Sequence, residues 1–180
     1  MKHPLRLLQA FTLFSAGLYG LFVFIGNLMD YDSNYQFVKH VLSMDTTFEG
    51  NALMWRSVTE PWAWTVGYIG IIIAEGVFAA LGLIGGIRLF KLRSASTTRY
   101  DRARGWGYGA YALGLAIWFI GFIVIGSEWF AMWQSSSWNG KDTAMPLAIL
   151  WTGFAVLLAM NSPLTAESRD STEETEEKEE

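Results

Sequence analysis

Glu75 is the only charged residue in an otherwise apolar run from Trp62 to Ile87. It lies 13 residues past Trp62, roughly 20 Å along a helix at 1.5 Å per residue. An ionised carboxylate near the middle of a bilayer costs on the order of 3 kcal/mol even on lenient insertion scales. Such a group must be protonated, partnered or turned into the interior of a helix bundle. Two chemistries follow. Either Glu75 handles a proton or a cation, or it is a neutral acid hydrogen-bonded to a Ser, Thr, Asn or Tyr on a neighbouring helix, with Tyr19, Thr12 and Tyr111 as candidates. Glu128 ends a later apolar run beside Trp129, where solvation is cheaper, and a pairing with Arg56 is the expected role. In depth the two acids are more than ~15 Å apart at helical rise, too far for a paired-carboxylate site.

His40 and Met44 stand four residues apart, on one face of a helix, with Asp45 next to them. Those residue types can ligate copper or haem, but a single His–Met pair is a weak signal, and Met on an apolar stripe usually packs. His40 also suits a pH-sensitive interface. The chain has no cysteine, which excludes disulfides, thiolate metal sites, iron–sulfur clusters and a cysteine nucleophile. With two histidines, His3 and His40, no multi-histidine metal site can form. No nucleophile–base pair or HExxH motif occurs. The run Gly105-Trp106-Gly107-Tyr108-Gly109 lacks the preceding strand and the following Lys/Ser of a phosphate cradle. The expectation is therefore no metal, no cofactor and no enzymatic activity.

The elements that position these residues are four long apolar runs. Leu7 to Leu28 and Trp106 to Ser127 are uncharged, Trp62 to Ile87 carries Glu75 alone, and Ala144 to Met160 is uncharged. Each is 17 to 26 residues long, and about 20 apolar residues span the ~30 Å hydrocarbon core. Helices of soluble proteins rarely run so long without a charge, so the expected fold is an all-α membrane protein. It is a four-helix transmembrane bundle with helices at about 7–28, 62–87, 106–127 and 144–160. The first run exceeds the apolar stretch of a signal peptide and offers no small-residue cleavage site after it, so a retained signal-anchor helix is expected. Small residues four apart, Ala16/Gly20, Gly70/Ala74, Gly82/Gly86 and Ala110/Gly114, suit close helix packing in lipid.

Lysine and arginine set the orientation. Arg88, Lys91, Arg93, Arg99, Arg102 and Arg104 crowd the second connection; the first has Lys39 and Arg56, the third Lys141 alone. Basic residues stay inside, so both termini are expected in the cytoplasm of a multi-pass inner-membrane protein. The first outer loop is long enough to need structure of its own, and Tyr35, Phe37, Val38, Val41, Leu42 and Met44 recur at helical spacing within it. A short interfacial helix is expected there, capped by Ser33 or Asn34. Glu60-Pro61 and Asp142 to Pro146 read as starts of the second and fourth helices. Trp55, Trp62, Trp64, Trp129, Trp133 and Trp138 gather on one side, more than interfacial anchoring needs, which points to outer loops packed into an aromatic cap.

Net charge is −4, which argues against nucleic acid as a partner, but the sum misleads. Residues 165–180 hold eight acidic and two basic side chains and nothing to bury, so a disordered cytoplasmic tail is expected after a single domain at 1–164. Without that tail the chain carries 11 basic and nine acidic groups, the basic ones gathered at the inner face.

The polar segments also carry a resemblance. Asn27-x-x-Asp30-Tyr31-x-x-Asn34-x-x-Phe37-Val38-x-His40-Val41-Leu42-x-Met44-Asp45-Thr46 resembles the first outer loop of a bacterial family of predicted small integral membrane proteins, domain of unknown function 2165. Trp55-Arg56, Glu75, Trp118-Phe119-x-Gly121-Phe122, Glu128-Trp129-Phe130-x-Met132-Trp133-Gln134 and Trp138-Asn139-Gly140 extend the likeness over residues 5–162. The resemblance implies four helices in a bacterial inner membrane and no assigned activity. Its polar residues lie in the two outer loops and at Glu75, so a shared site would open outward.

Three function classes remain. The first is a non-enzymatic accessory or scaffold protein that meets a membrane-protein partner, or a second copy of itself, through its cap. The second is a small transporter or channel-like protein with Glu75 in a proton- or cation-coupled path. The third and weakest is an enzyme or sensor using His40 and Glu128 on an outer-facing lipid or quinone.

Overall fold

The computed structural model describes residues 3–161, so the acidic tail lies outside the described residues. Four helices are long and apolar enough to cross a membrane: α1 (Pro4–Met29), α3 (Pro61–Lys91), α4 (Thr97–Trp129) and α5 (Lys141–Ala159). A shorter helix, α2 (Tyr31–Ser43), stands between the first two. No strand occurs among the described residues. The spans outrun the apolar segments that mark them. The basic connection shrinks to 92–96, because Arg88 and Lys91 finish α3 while Arg99, Arg102 and Arg104 already belong to α4. Hydropathy marks where a helix can lie in lipid; backbone hydrogen bonding continues past that point, and cations are favourable in a helix's last turn. The glycine-rich run 105–109 is likewise helical.

α1 and α3 form the tightest pair. A Cβ on Gly17 would come within 2.3 Å of the Leu83 nitrogen, and one on Gly82 within 2.5 Å of the Gly17 Cα. Backbone lies on backbone there, the close approach that small residues allow in lipid. Gly20 abuts Phe78, and Gly86 abuts Phe14. The core continues through Leu13, Phe78, Tyr111, Trp118 and Trp151. Gly70 behaves differently: nothing lies within 4 Å of the place its Cβ would take. The Gly70/Ala74 pair thus lines open space where helix contact was expected.

The first connection departs from expectation in a second way. α1 ends at Met29 and α2 begins at Tyr31, with Asp30 as the only break and no Ser33 or Asn34 cap. Tyr31 and Tyr35 pack on Tyr68, while Val38 and Leu42 face Gly67. Twelve residues of helix, 31–42, therefore meet two consecutive residues of α3, so α2 crosses α3 and covers the bundle between its helices.

The segments 44–60 and 130–140 pack together over the same end, forming a cap. Val41, Met44, Phe130, Ala131 and Met132 make a small core of their own. Thr46 Oγ1 meets Ser135 Oγ at 2.8 Å, and the Phe48 amide donates to Gln134 Oε1 at 3.2 Å. At the opposite end buried polar side chains close off helix ends. Arg6 donates to the carbonyls of Arg93 and Ala95, and Gln9 donates to those of Leu157, Leu158 and Met160. Tyr100 donates its hydroxyl to Gln9 Oε1 at 3.0 Å, and Arg104 reaches Met160 O and Asn161 Oδ1. The Leu157 and Leu158 carbonyls are among the orphans that a helix C-terminus leaves, whereas Arg93 and Ala95 belong to the connection 92–96.

Candidate functional site

Glu75 is 3% exposed, on the face of α3 turned toward α1. Its partner is Asn27, whose Nδ2 donates to Glu75 Oε2 at 2.5 Å. Asn27 is held in turn by Tyr68, whose hydroxyl donates to the Asn27 backbone oxygen at 2.9 Å. Tyr19, named from the sequence as a candidate partner, shares the same cavity. Thr12 instead bonds the Gln9 carbonyl, and the Tyr111 hydroxyl has no partner among the described residues. Glu75 Oε1 accepts no hydrogen bond from a described residue.

The carboxylate lines a cavity of about 260 Å³. Asn27, Asn34, Tyr68 and Thr143 supply its other polar groups; Tyr19, Phe37, Trp118 and Phe122 supply aromatic wall. Among the described residues no Lys, Arg or His lines it. α2 roofs it through Asn34, Phe37 and Val38, with Gly140 and Thr143 contributing from the start of α5. On the far side the rings of Tyr19, Phe78, Trp118 and Trp151 stand 5.3–5.8 Å apart and close the bundle below Glu75. The cavity is therefore a partly open chamber on the cap side of an aromatic plug. Trp118 and Phe122 belong to the outer part of α4, Ala116–Trp129, which winds with i→i+5 bonding, as in Phe130 N to Ile125 O at 3.0 Å. Such winding is normally confined to a single turn and often accompanies functional sites.

The other sequence candidates do not join this chamber. His40 Nδ1 lies 2.9 Å from both Asp45 oxygens, and its ring stacks on Trp138 with centroids 4.7 Å apart. Met44 turns away into the cap core, so His40, Met44 and Asp45 do not converge as a ligand set. Among the described residues no three His, Asp or Glu side chains gather around a metal position. Glu128 is exposed and makes no ion pair with Arg56. Arg56 is taken instead by Trp129: its guanidinium lies 4.6 Å from that ring and 5.2 Å from Trp55, and Nη1 donates to the Trp129 carbonyl. A guanidinium beside two indoles gains cation–π attraction without an acid. Trp133 meets Phe48 edge-on, while Trp62 stands exposed at the start of α3.

The four spans, the cap and the buried acid can be set beside known proteins. Residues 5–161 match the family described as predicted small integral membrane protein, DUF2165. The chain belongs to this family. It is an integral membrane protein in contact with the lipid bilayer, and the family carries no specific activity. No curated protein and no solved structure matches the chain. The residues that sequence reasoning missed are Asn34, Tyr68 and Thr143 around Glu75 and the Arg6–Gln9–Tyr100–Arg104 network at the other end. Polar groups inside apolar runs, such as Gln9 and Tyr68, were the available signal.

Proposed function

We propose that the protein is a non-enzymatic, cation-binding transport protein of a bacterial inner membrane, with Glu75 as the binding group. One observation carries this reading: a buried carboxylate with, among the described residues, a single hydrogen bond and no cationic side chain beside it lines a cavity large enough for a ligand. A charge in that position calls for a proton or a bound cation, and intramembrane acids mark such pathways. Both termini lie in the cytoplasm by the distribution of Lys and Arg, so the chamber belongs to the outer half and α2 lies near the outer interface. The aromatic plug then corresponds to a state closed to the inside, and transport requires those rings to part. In proteoliposomes the wild type is expected to move protons when a sodium or tetramethylammonium gradient is imposed, and Glu75→Gln to abolish that coupled flux. Equal flux in both proteins would remove Glu75 from the path.

A second reading rests on the cap. Trp55, Trp62, Trp129 and Trp133 are 71, 68, 47 and 46% exposed despite their size. An accessory role, docking a membrane partner or a second copy through these rings, accounts for that exposure. It requires an oligomer or complex that dissociates in Trp55→Ala/Trp129→Ala; a wild type that runs alone as a monomer in mild detergent rules it out.

A further inference from the structure

The Glu75 chamber has a neighbour. An apolar cleft of about 390 Å³ lies between α2, α3 and α4, walled by Gly67, Gly70, Ala74, Ala116, Gly121 and Ile125 among others. The two cavities share Phe37, Val38, Ile71 and Phe122, so they adjoin along one set of side chains. One holds an acid, two amides and an aromatic wall; among the described residues no charged one lines the other. The cleft exists because small residues stand where packing would otherwise fill the space. At Gly70 nothing lies within 4 Å of a would-be Cβ, and Ala74 is the residue next to Glu75.

We infer that the paired cavities bind a lipophilic organic cation, an ammonium head at Glu75 with an alkyl or aryl tail in the Gly70–Ala74 cleft. The chemistry divides accordingly. Glu75 Oε1, which accepts no hydrogen bond from a described residue, supplies the counter-charge, and the aromatic side chains of Tyr19, Tyr68 and Trp118 that line the same cavity suit an ammonium group that has shed its water. The cleft offers the tail an apolar lining and no polar group to desolvate. A metal ion or a bare proton would satisfy Glu75 but would leave the cleft without purpose. This inference rests on the cation-binding reading of Glu75 and adds the class of ligand.

The test uses the full-length protein in lipid nanodiscs, with binding followed by calorimetry. Two probes, tetramethylammonium and hexyltrimethylammonium, share a head and differ in the tail. Wild type is expected to bind the hexyl compound at least tenfold more tightly. Gly70→Phe, whose ring enters the cleft from a position with room for it, is expected to erase that advantage and leave tetramethylammonium affinity within twofold. Gly153→Phe, at another open glycine outside both cavities, controls for the added ring. Glu75→Gln is expected to weaken both probes at least tenfold. Should Gly70→Phe fail to give a monodisperse protein, Gly70→Leu tests the same space. Equal affinity for the two probes, both lost in Glu75→Gln, overturns the lipophilic ligand while leaving Glu75 as a cation site. A hexyl advantage that survives filling of the cleft overturns the placement of the tail. Absence of binding by either probe, or unchanged binding in Glu75→Gln, overturns both readings.

Discussion

Gly17 and Gly82 touch through their backbones, and that contact sets the height at which α1 delivers Asn27 to Glu75. A side chain on either glycine must push two helices apart, since the neighbouring atoms are main chain and cannot rotate away. Gly17→Val is expected to cost about 3 kcal/mol or more, at the upper end for overpacking. Gly26→Ala, on the same helix with nothing within 4 Å of its Cβ position, is expected to be near neutral. Thermal melts of the two variants in one detergent give the comparison; similar losses would mean that α1 and α3 are not packed this closely.

Asn27 gives Glu75 its one hydrogen bond among the described residues. A bond to a charged acceptor is worth about 1.5–3 kcal/mol, so Asn27→Leu should lower tetramethylammonium affinity about tenfold. Tyr68 is expected to keep its bond, because it bonds the Asn27 main chain at 2.9 Å. Calorimetric titration of the variant checks this, and wild-type affinity would show that Asn27 does not help to hold the charge.

Gln9 is fully buried and satisfies carbonyls at the end of α5 while accepting from Tyr100. Gln9→Leu is of similar size yet leaves those groups unpaired, at about 1–3 kcal/mol for each one that water cannot reach. A large fall in melting temperature with unchanged cation affinity is expected, because the site lies on the other side of the aromatic plug. Loss of both together would argue for coupling between the two ends.

Arg56 ties the two cap segments together through Trp55, Trp129 and the Trp129 carbonyl. Arg56→Ala is expected to destabilise the cap by about 1–3 kcal/mol, combining a lost charged hydrogen bond with cation–π attraction. Arg56→Lys should restore only part of it, since an ammonium lacks the planar guanidinium that can lie on an indole face and still donate to a carbonyl. Limited proteolysis of the segments 44–60 and 130–140 reads the outcome, and equal cleavage in all three proteins would detach Arg56 from this role.

The absence of cysteine makes orientation simple to measure. A single cysteine at Ser137 is expected to react with a membrane-impermeant maleimide in intact spheroplasts, and one at Ala95 only after lysis. The reverse pattern would invert the topology and place the Glu75 chamber on the cytoplasmic side.

What the sequence determined by itself follows from properties that run along the chain. The length and hydropathy of four runs specify four membrane helices, proline at 61 marks the start of α3, and an acid amid apolar residues stands out at Glu75. Composition suffices because the bilayer imposes one rule at each position: apolar outside, backbone bonds satisfied within the helix. The tertiary structure decided which residues meet. Asn27 rather than Thr12 or Tyr111 partners Glu75, because the Gly17–Gly82 contact sets the relative height of α1 and α3. Arg56 chose an indole over Glu128, and Gly70/Ala74, the same small-residue pattern that packs other helices, came to line a cleft. Contacts between helices depend on axial offset, rotation and crossing angle, and a one-dimensional pattern fixes none of these three.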